Sequence, residues 1–285
     1  MGVITRVAGT VGVAGSAGDD GPATDAQLHD PFGVAVTADG GFLVADLVNN
    51  VVRKVSADGV ITRVAGTTGT SGSAGDGGPA TDAQLNGPVG VAVTADGGFL
   101  VADSGNNMVR KVSADGVITR VAGMGTAGGA GDGGPATDAQ LNGPIGVAVT
   151  ADGGFLIADQ NNAVVRKVSV DGVISRVAGT TGTSGSAGDD GPATDAQLDT
   201  PTGVAATADG GFLIADFANN RVRKVSAGGV ITRVAGTGTV GSFGDDGPAT
   251  SAQLHNSAGV AATADGGFLI ADTLNQVVRK VSAGG

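Results

Sequence analysis

A polar residue follows each of five Gln-Leu pairs in this chain. The five residues are His29, Asn86, Asn142, Asp199 and His255. Imidazole and carboxylate groups bind metal ions or transfer protons, and amides recognise ligands through hydrogen bonds. If these side chains met in a ring, they would form a binding site or, with a metal ion, a hydrolase or lyase centre. The alternative is that each side chain caps its own turn, as Asn and Asp commonly do.

Metal chemistry is not favoured at this position. Zn–N bonds of about 2 Å require two imidazoles to come within roughly 4 Å of each other, and equivalent residues of neighbouring repeats lie farther apart unless they are almost on a common axis. Carboxylates are concentrated in Gly-rich loops such as Gly18-Asp19-Asp20-Gly21, but these loops lack the spacing of known calcium motifs. The chain also contains no Glu. We therefore predict no metal, no cofactor and no catalytic residue.

These candidate residues belong to a repeat that fills the chain. The segment Gly-Val-Ile-Thr/Ser-Arg-Val-Ala-Gly begins near residues 2, 59, 116, 172 and 229. A repeat of this length is one supersecondary unit that must stack on its neighbours to bury its apolar residues. We therefore predict a single domain over residues 1–285.

Each copy has the pattern of four short strands. In the second copy these are residues 90–94, 99–103, 108–113 and 117–122, with Asp-Gly turns after the first and third strands. A long Gly-rich connector follows, and its Pro135 can open one helical turn. Four hairpin-connected strands and a long crossing to the next copy are typical of a β-propeller blade, so we predict an all-β, five-bladed propeller.

The repeat also resembles a known family. The segment Asp103-Ser104-Gly105-Asn106-Asn107-Met108-Val109-Arg110-Lys111, with Gly90-Val91-Ala92-Val93 upstream, resembles the NHL repeat, and the connector looks like that of extended bacterial NHL repeats. This resemblance covers all five copies and implies a propeller. It leaves function open, because NHL propellers include protein-binding, RNA-binding and enzymatic members. NHL propellers usually have six blades, whereas this chain has five copies.

The order of the strands predicts how the propeller closes. The chain begins with the sequence of an outermost strand, residues 3–8, and ends with three inner strands. We expect the first strand to pair with the last blade, because such pairing removes open sheet edges. The alternative is a six-bladed assembly that uses a blade of another chain.

Charge and composition exclude two classes of partner. A net charge of −11 and a pI near 4.4 repel phosphate backbones, so we predict no nucleic-acid binding. The longest apolar runs of about five residues are far shorter than the roughly 20 of a membrane helix, so we predict no membrane insertion. Of the 16 basic residues, 15 recur at three repeat positions, which indicates a scaffold role. We expect the Asp103, Asn106 and Arg110 set to hold the neighbouring loop.

The differences between the copies predict where a ligand binds. They cluster in the connector and in the loop between the second and third strands, which hairpin geometry places at one end of the blade, and binding residues often lie on such loops. The near-identity of the copies indicates a designed or recently amplified chain. We predict a monomeric, non-catalytic scaffold or binding module with a protein or small-molecule ligand on this face. The alternative is a metal-assisted hydrolase or lyase with its site at the mouth of the channel.

Overall fold

The computed structural model describes residues 3–283. The chain divides into two compact units, Met1–Gly125 and Thr126–Gly285. The first unit contains the blades of the first two repeats, and the second unit contains the other three blades. A single domain over residues 1–285 stays a prediction.

The first unit contains two antiparallel sheets. In the first sheet the spatial order is β1-β5-β4-β3-β2, and in the second it is β6-β7-β8-β9. The strands are β1 (Gly21–Pro22), β2 (Pro31–Val36), β3 (Phe42–Asp46), β4 (Val51–Val55), β5 (Val60–Ala65), β6 (Pro88–Val93), β7 (Phe99–Asp103), β8 (Met108–Val112) and β9 (Ile118–Ala122).

The second unit contains three sheets. Their orders are β10-β11-β12-β13, β14-β18-β17-β16-β15 and β19-β20-β21. The strands are β10 (Pro144–Val149), β11 (Phe155–Asp159), β12 (Val164–Val168), β13 (Ile174–Ala178), β14 (Gly191–Pro192), β15 (Pro201–Ala206), β16 (Phe212–Asp216), β17 (Arg221–Val225), β18 (Val230–Ala235), β19 (Gly259–Ala262), β20 (Phe268–Asp272) and β21 (Val277–Val281). The prediction of an all-β chain with five β-propeller blades is confirmed.

Helical structure in the described residues is limited to single 3₁₀ turns. Four of them follow the connector proline, as predicted from Pro135, and three follow the Asp that ends the second long strand. The turns are Ala23–Asp25, Ser104–Asn106, Ala136–Asp138, Gln160–Asn162, Ala193–Asp195, Ala249–Ser251 and Thr273–Asn275. Between residues 3 and 283 there is no helix with the length and apolar character needed to cross a membrane.

The Asp-Gly turns form as the sequence predicts. Gly97 has a φ of +82°, which an L-residue rarely adopts. The Asp96 carboxylate accepts hydrogen bonds from the Thr94 hydroxyl at 2.5 Å and the Gly98 N–H at 3.2 Å, and it pairs with Lys111 on β8. The recurring Asp and Lys residues at this end of the blade therefore stabilise the hairpin.

Within each unit, the apolar core lies between consecutive blades. Leu43 and Val52 of the first blade pack with Phe99, Val101 and Ile118 of the second, and the same repeat positions form the cores between the blades of the second unit. The recurring Phe at the start of the second long strand is thus a core residue.

Glycine allows the innermost strands of consecutive blades to approach closely. A Cβ atom at Gly33 on β2 would lie 2.2 Å from the Val89 carbonyl oxygen on β6, and one at Gly146 on β10 would lie 2.4 Å from the Thr202 carbonyl oxygen on β15. Both distances are far inside van der Waals contact. The spacing of these strands therefore depends on the missing side chain.

The strand predicted at the start of the chain does not form. Residues 3–8 have no regular secondary structure, and the Ile4 side chain is 99% exposed. The last sheet has only β19, β20 and β21 among the described residues. The expected completion of the last blade by residues 3–8 would join the first unit to the second, and it stays a prediction. A strand requires backbone partners on a sheet edge, and apolar alternation alone does not supply them.

Candidate functional site

A buried polar cluster holds the connector of each repeat against its own blade. In the second blade, the Arg110 guanidinium on β8 donates to Asp76 at 3.0 Å from Nε and to the Gln84 carbonyl oxygen at 2.6 Å from Nη1. Its Nη1 lies 3.6 Å from Oδ2 of Asp103, at the end of β7. The Asn106 amide donates to Asp103 at 2.8 Å and to the Gly72 carbonyl oxygen at 2.6 Å.

The same cluster recurs in all five blades and leaves few polar atoms free. The Asp at the end of the second long strand is fully buried in every copy, and the Arg is fully buried in four copies. The Asp members are Asp46, Asp103, Asp159, Asp216 and Asp272, and their Arg partners are Arg53, Arg110, Arg166, Arg223 and Arg279. The Asp103, Asn106 and Arg110 side chains thus hold structure through hydrogen bonds, as predicted, but apart from the Asn106–Asp103 bond they hold the connector rather than the loop between the second and third strands.

Burial changes the acidity of these carboxyl groups. Loss of water raises the pKa of Asp103, Asp159 and Asp216 to about 6, although hydrogen bonds from the neighbouring Asn and backbone N–H and the charge of the Arg act in the opposite direction. Burial also raises the pKa of Asp46. Asp103, Asp159 and Asp216 therefore titrate near neutral pH because they are buried in the scaffold.

The raised pKa values of these carboxyl groups predict that the protein is more stable at mildly acidic pH than at neutral pH. A folded pKa of about 6 exceeds the ordinary 3.8, so between pH 7 and pH 5 the folded state binds protons that the unfolded state does not. We expect the free energy of unfolding to rise by about 1 kcal/mol for each of the three carboxyl groups over this range. Urea unfolding followed by circular dichroism at both pH values measures this.

The matched control for that measurement is Asp159→Asn, which removes one titrating group and keeps an oxygen acceptor. The increase in unfolding free energy should shrink by about a third. A stability that falls between pH 7 and pH 5 would contradict the prediction. The Lys-paired hairpin carboxylates do not interfere, because their pKa values are lowered and they lose their pairs only at more acidic pH.

The five sequence-predicted site residues occupy equivalent positions beside these clusters. Each is half-buried, and its backbone N–H donates to Oδ1 of the buried Asp of its own blade at 2.7–2.8 Å. The Asn161 amide, in the loop between the second and third strands, donates to the Asn142 side chain at 3.3 Å, and the Thr200 hydroxyl donates to the Asp199 carboxylate at 3.0 Å. Neither bond reaches the backbone of the residue's own turn, so the turn-capping alternative stays a prediction.

Each of the five residues contacts the buried Asp of its own blade. The imidazoles of His29 and His255 have no hydrogen-bond partner between residues 3 and 283. In the same part of the chain, no group of three or more His, Cys, Asp or Glu side chains is arranged to hold a metal ion. A ring of all five residues stays a prediction.

In each blade the residue after Gln-Leu touches a second variable segment. This segment consists of the two residues that follow the buried Asp. The second of these two residues donates its backbone N–H to the carbonyl oxygen of the residue after Gln-Leu at 2.9–3.2 Å. We call these three residues the tip patch of a blade. The tip patches are His29/Leu47/Val48, Asn86/Ser104/Gly105, Asn142/Gln160/Asn161, Asp199/Phe217/Ala218 and His255/Thr273/Leu274.

The last residue of each tip patch differs in every copy. Val48, Gly105, Asn161, Ala218 and Leu274 are all exposed. Sequence reasoning identified this loop as variable but did not name these residues. The available signal was the change of residue type within the fixed Asp-x-x-Asn frame. The predicted location of both variable segments at one end of the blade is confirmed.

Asn residues connect neighbouring tip patches within each unit. Asn50 accepts the Gly87 N–H at 2.9 Å, and Asn220 accepts the Asn256 N–H at 2.8 Å. Asn50 and Asn220 lie two residues after the last residue of a tip patch. Gly87 and Asn256 directly follow Asn86 and His255, the first residues of the next tip patches. Both Asn residues adopt left-handed φ values, which Asn tolerates better than most residues. These bonds connect the first tip patch to the second and the fourth to the fifth, whereas the third blade has Ala163 at the equivalent position.

Comparisons with known families and proteins agree with this geometry. Residues 67–128 match the teneurin NHL domain, and residues 198–225 match the NHL repeat. Mouse Teneurin-4 is 28% identical over 235 residues, which cover 72% of this chain. The chain spans about 8% of the length of the curated teneurins it matches.

Solved structures share the fold at low sequence identity. A chain in the crystal structure of a nidogen/laminin complex superimposes with a TM-score of 0.61 at 14% identity, covering 89% of this chain and 76% of that chain. Virginiamycin B lyase from Staphylococcus aureus superimposes with a TM-score of 0.53 at 13% identity, covering 90% and 70%. At this identity the likeness establishes the fold alone.

Proposed function

Because this chain is built from NHL repeats, we propose that it is a non-catalytic interaction module that binds a protein partner through its tip patches. The observation that supports this proposal is that the recurring polar residues and the variable residues differ in their surroundings. The buried Asp, Asn and Arg side chains of the cluster are engaged in hydrogen bonds within their own repeat, whereas the last residue of each tip patch, which differs in every copy, is exposed.

Catalysis needs an acid, base or nucleophile with a free reactive atom at the substrate. The carboxyl groups with raised pKa values are fully buried and hydrogen-bonded to the connector, which argues against this use. A protein partner fits the composition of the tip patches better. They combine exposed aliphatic residues such as Val48 and Leu274 with polar His, Asn and Asp, and interfaces commonly combine apolar contacts with a polar rim.

The chain offers a matched pair of exposed valines for the test. Val48 belongs to the first tip patch and is 40% exposed, whereas Val170 lies at a hairpin turn at the other end of its blade and is 72% exposed. A photo-crosslinking amino acid at each position identifies a partner in extracts of the source cells. The purified partner is then titrated against Val48→Asp, Leu274→Asp and Val170→Asp.

We expect both tip-patch variants to bind the partner at least tenfold more weakly and Val170→Asp to bind like the unmodified chain. The reason is that a buried, unpaired carboxylate is costly at an interface. Loss of binding in Val170→Asp alone would place the interface at the other end. A hydrolytic or lyase activity together with a stoichiometric divalent ion, both lost in the His29→Asn/His255→Asn variant, would contradict the proposal and indicate an enzyme.

A further inference from the structure

A pocket of the same kind lies between consecutive blades in each unit. In the first unit a pocket of about 470 Å³ lies between the first and second blades, and in the second unit a pocket of about 490 Å³ lies between the third and fourth blades. Both lie at the end of the blades that carries the Asp-Gly turns, and their lining residues come from equivalent repeat positions. Volumes of this size are typical of sites for small organic molecules.

The lysine of each pocket is neutralised within its own hairpin. In the second unit Lys167 pairs with Asp152, and in the first unit Lys54 pairs with Asp39. A lysine that is already paired in this way has little attraction left for an external ion. An anion in either pocket therefore has to be recognised by another group.

Arg176 also lines the pocket of the second unit, and its guanidinium has free donors. Its Nη1 donates to the Gly179 and Thr194 carbonyl oxygens, which holds the group in place. Nε and Nη2 have no hydrogen-bond acceptor and no carboxylate partner in the part of the chain that the structure describes. Arg176 is half-buried, yet neither nitrogen is shielded from solvent. The Nε–H and one Nη2–H lie along one edge of the planar guanidinium, so they can donate to both oxygens of one carboxylate.

Two substitutions distinguish this pocket from its counterpart in the first unit, where the arginine is retained as Arg63. Asp115 lines the pocket of the first unit, whereas the equivalent residue of the fourth blade is Gly228. Val93 is replaced by Ala206, which lacks two methyl groups. Because the net charge of −11 repels anions, the loss of a carboxylate at this position favours anion binding in the second unit. The loss of the two methyl groups leaves more room for a ligand.

We propose that the pocket between the third and fourth blades binds a small organic acid. The carboxylate of this ligand accepts hydrogen bonds from Nε and Nη2 of Arg176, and its apolar body contacts Leu156, Phe212 and Val225, which line the pocket. Burial of the apolar body supplies affinity that a single ion pair near the surface lacks. The ligand class is thus a compact monocarboxylate with an aromatic or branched aliphatic body.

The probe is naphthalene-2-carboxylate, and its binding is followed by fluorine NMR of the full chain, in which the eight Phe residues are para-fluorinated. Phe212 lines the pocket of the second unit and Phe99 that of the first, and Phe212→Leu and Phe99→Leu assign the two signals. We expect the probe to shift the Phe212 signal saturably, with a dissociation constant at least about fivefold lower than for the Phe99 signal. Naphthalene-2-carboxamide has the same shape without the charge and should bind beside Phe212 at least about fivefold more weakly.

Residues of the other copies supply the matched variants. Gly228→Asp introduces the carboxylate that the first three copies have at this position, and it should weaken binding beside Phe212 at least about fivefold. Gly228→Asn has the same size without the charge and should bind like the unmodified chain. Both variants fit the backbone, because Gly228 does not have a positive φ. Ala206→Val restores the residue of the first three copies and should also weaken binding, because it narrows the pocket.

The converse change is made in the first unit. Val93→Ala/Asp115→Gly should make the Phe99 signal respond to the probe at the concentrations that shift the Phe212 signal. Circular dichroism checks that each variant is folded.

A Phe212 signal that does not shift at about 10 mM naphthalene-2-carboxylate overturns the proposal. Equal binding of the carboxylate and the carboxamide overturns it as well, because Arg176 would then have no role in recognition. Equal weakening by Gly228→Asp and Gly228→Asn would also contradict it. None of these readouts depends on the tip patches, so their outcome is independent of the test for a protein partner.

Discussion

Replacing Asp103 with Ala is expected to lower the free energy of unfolding by about 3 kcal/mol. The Asp103 carboxylate is fully buried and accepts hydrogen bonds from the Asn86 N–H and the Asn106 amide, while the buried Arg110 guanidinium lies beside it. Without this carboxylate, the Asn86 N–H and the Asn106 amide lose their acceptor, and the Arg110 guanidinium keeps only the Asp76 carboxylate as a partner of opposite charge. Because the chain has no Trp or Tyr, unfolding is best followed by circular dichroism in urea.

The control for Asp103→Ala is Asp96→Ala in the adjacent hairpin. Asp96 also pairs with a cation, Lys111, but both side chains face solvent, and exposed ion pairs contribute little. We expect little change in stability for this variant. If Asp96→Ala and Asp103→Ala lowered the free energy of unfolding equally, burial of the Asp103 carboxylate would not be the cause of the destabilisation.

The Gly146→Ala substitution is expected to destabilise the second unit by about 1–3 kcal/mol. The added Cβ would lie 2.4 Å from the Thr202 carbonyl oxygen and 3.2 Å from the Val204 nitrogen. Both atoms belong to the backbone of β15, so no flexible side chain can move aside. The innermost strands of the third and fourth blades must separate, which loosens the core that contains Leu156 and Phe212. The midpoint of thermal unfolding measures this effect.

Gly228→Ala serves as the comparison for Gly146→Ala. A Cβ at Gly228 would have the Ser226 hydroxyl as its nearest neighbour at 3.8 Å, and the residue does not have a positive φ. We expect no loss of stability, and a small gain is consistent with reduced freedom of the unfolded chain. If Gly146→Ala were as stable as Gly228→Ala, close approach of the inner strands would not limit side-chain size at that position.

The sequence predicted the blades because their signals are local. Asp-Gly turns and apolar strands such as Phe99–Asp103 determine hairpins over a few residues, and the repeat multiplies this signal five times. The strand at residues 3–8 could not be predicted in the same way. Its pattern is identical to that of β5, but whether a strand forms depends on a distant sheet edge, which the pattern does not describe.

The candidate site was predicted only in part for a similar reason. The residues after Gln-Leu were recognised from their polarity and spacing, and the loop beside them from its variability. The contact between the two segments is a backbone hydrogen bond between residues 19 positions apart, such as Gly105 and Asn86. Likewise, Arg110 and Asp76 are separated by 34 residues, and nothing in the local sequence links them.

The closed polar cluster of each repeat has a consequence for how such a chain can change. Arg110, Asp76, Asp103 and Asn106 all lie within one repeat and satisfy one another there. A gene segment that encodes one connector and one blade therefore carries its complete set of buried charges. Such a segment can be duplicated, or exchanged by recombination, without leaving an unpaired charge behind. The tip patch of that repeat is encoded by the same segment, so new combinations of surface residues can arise while the buried residues stay the same.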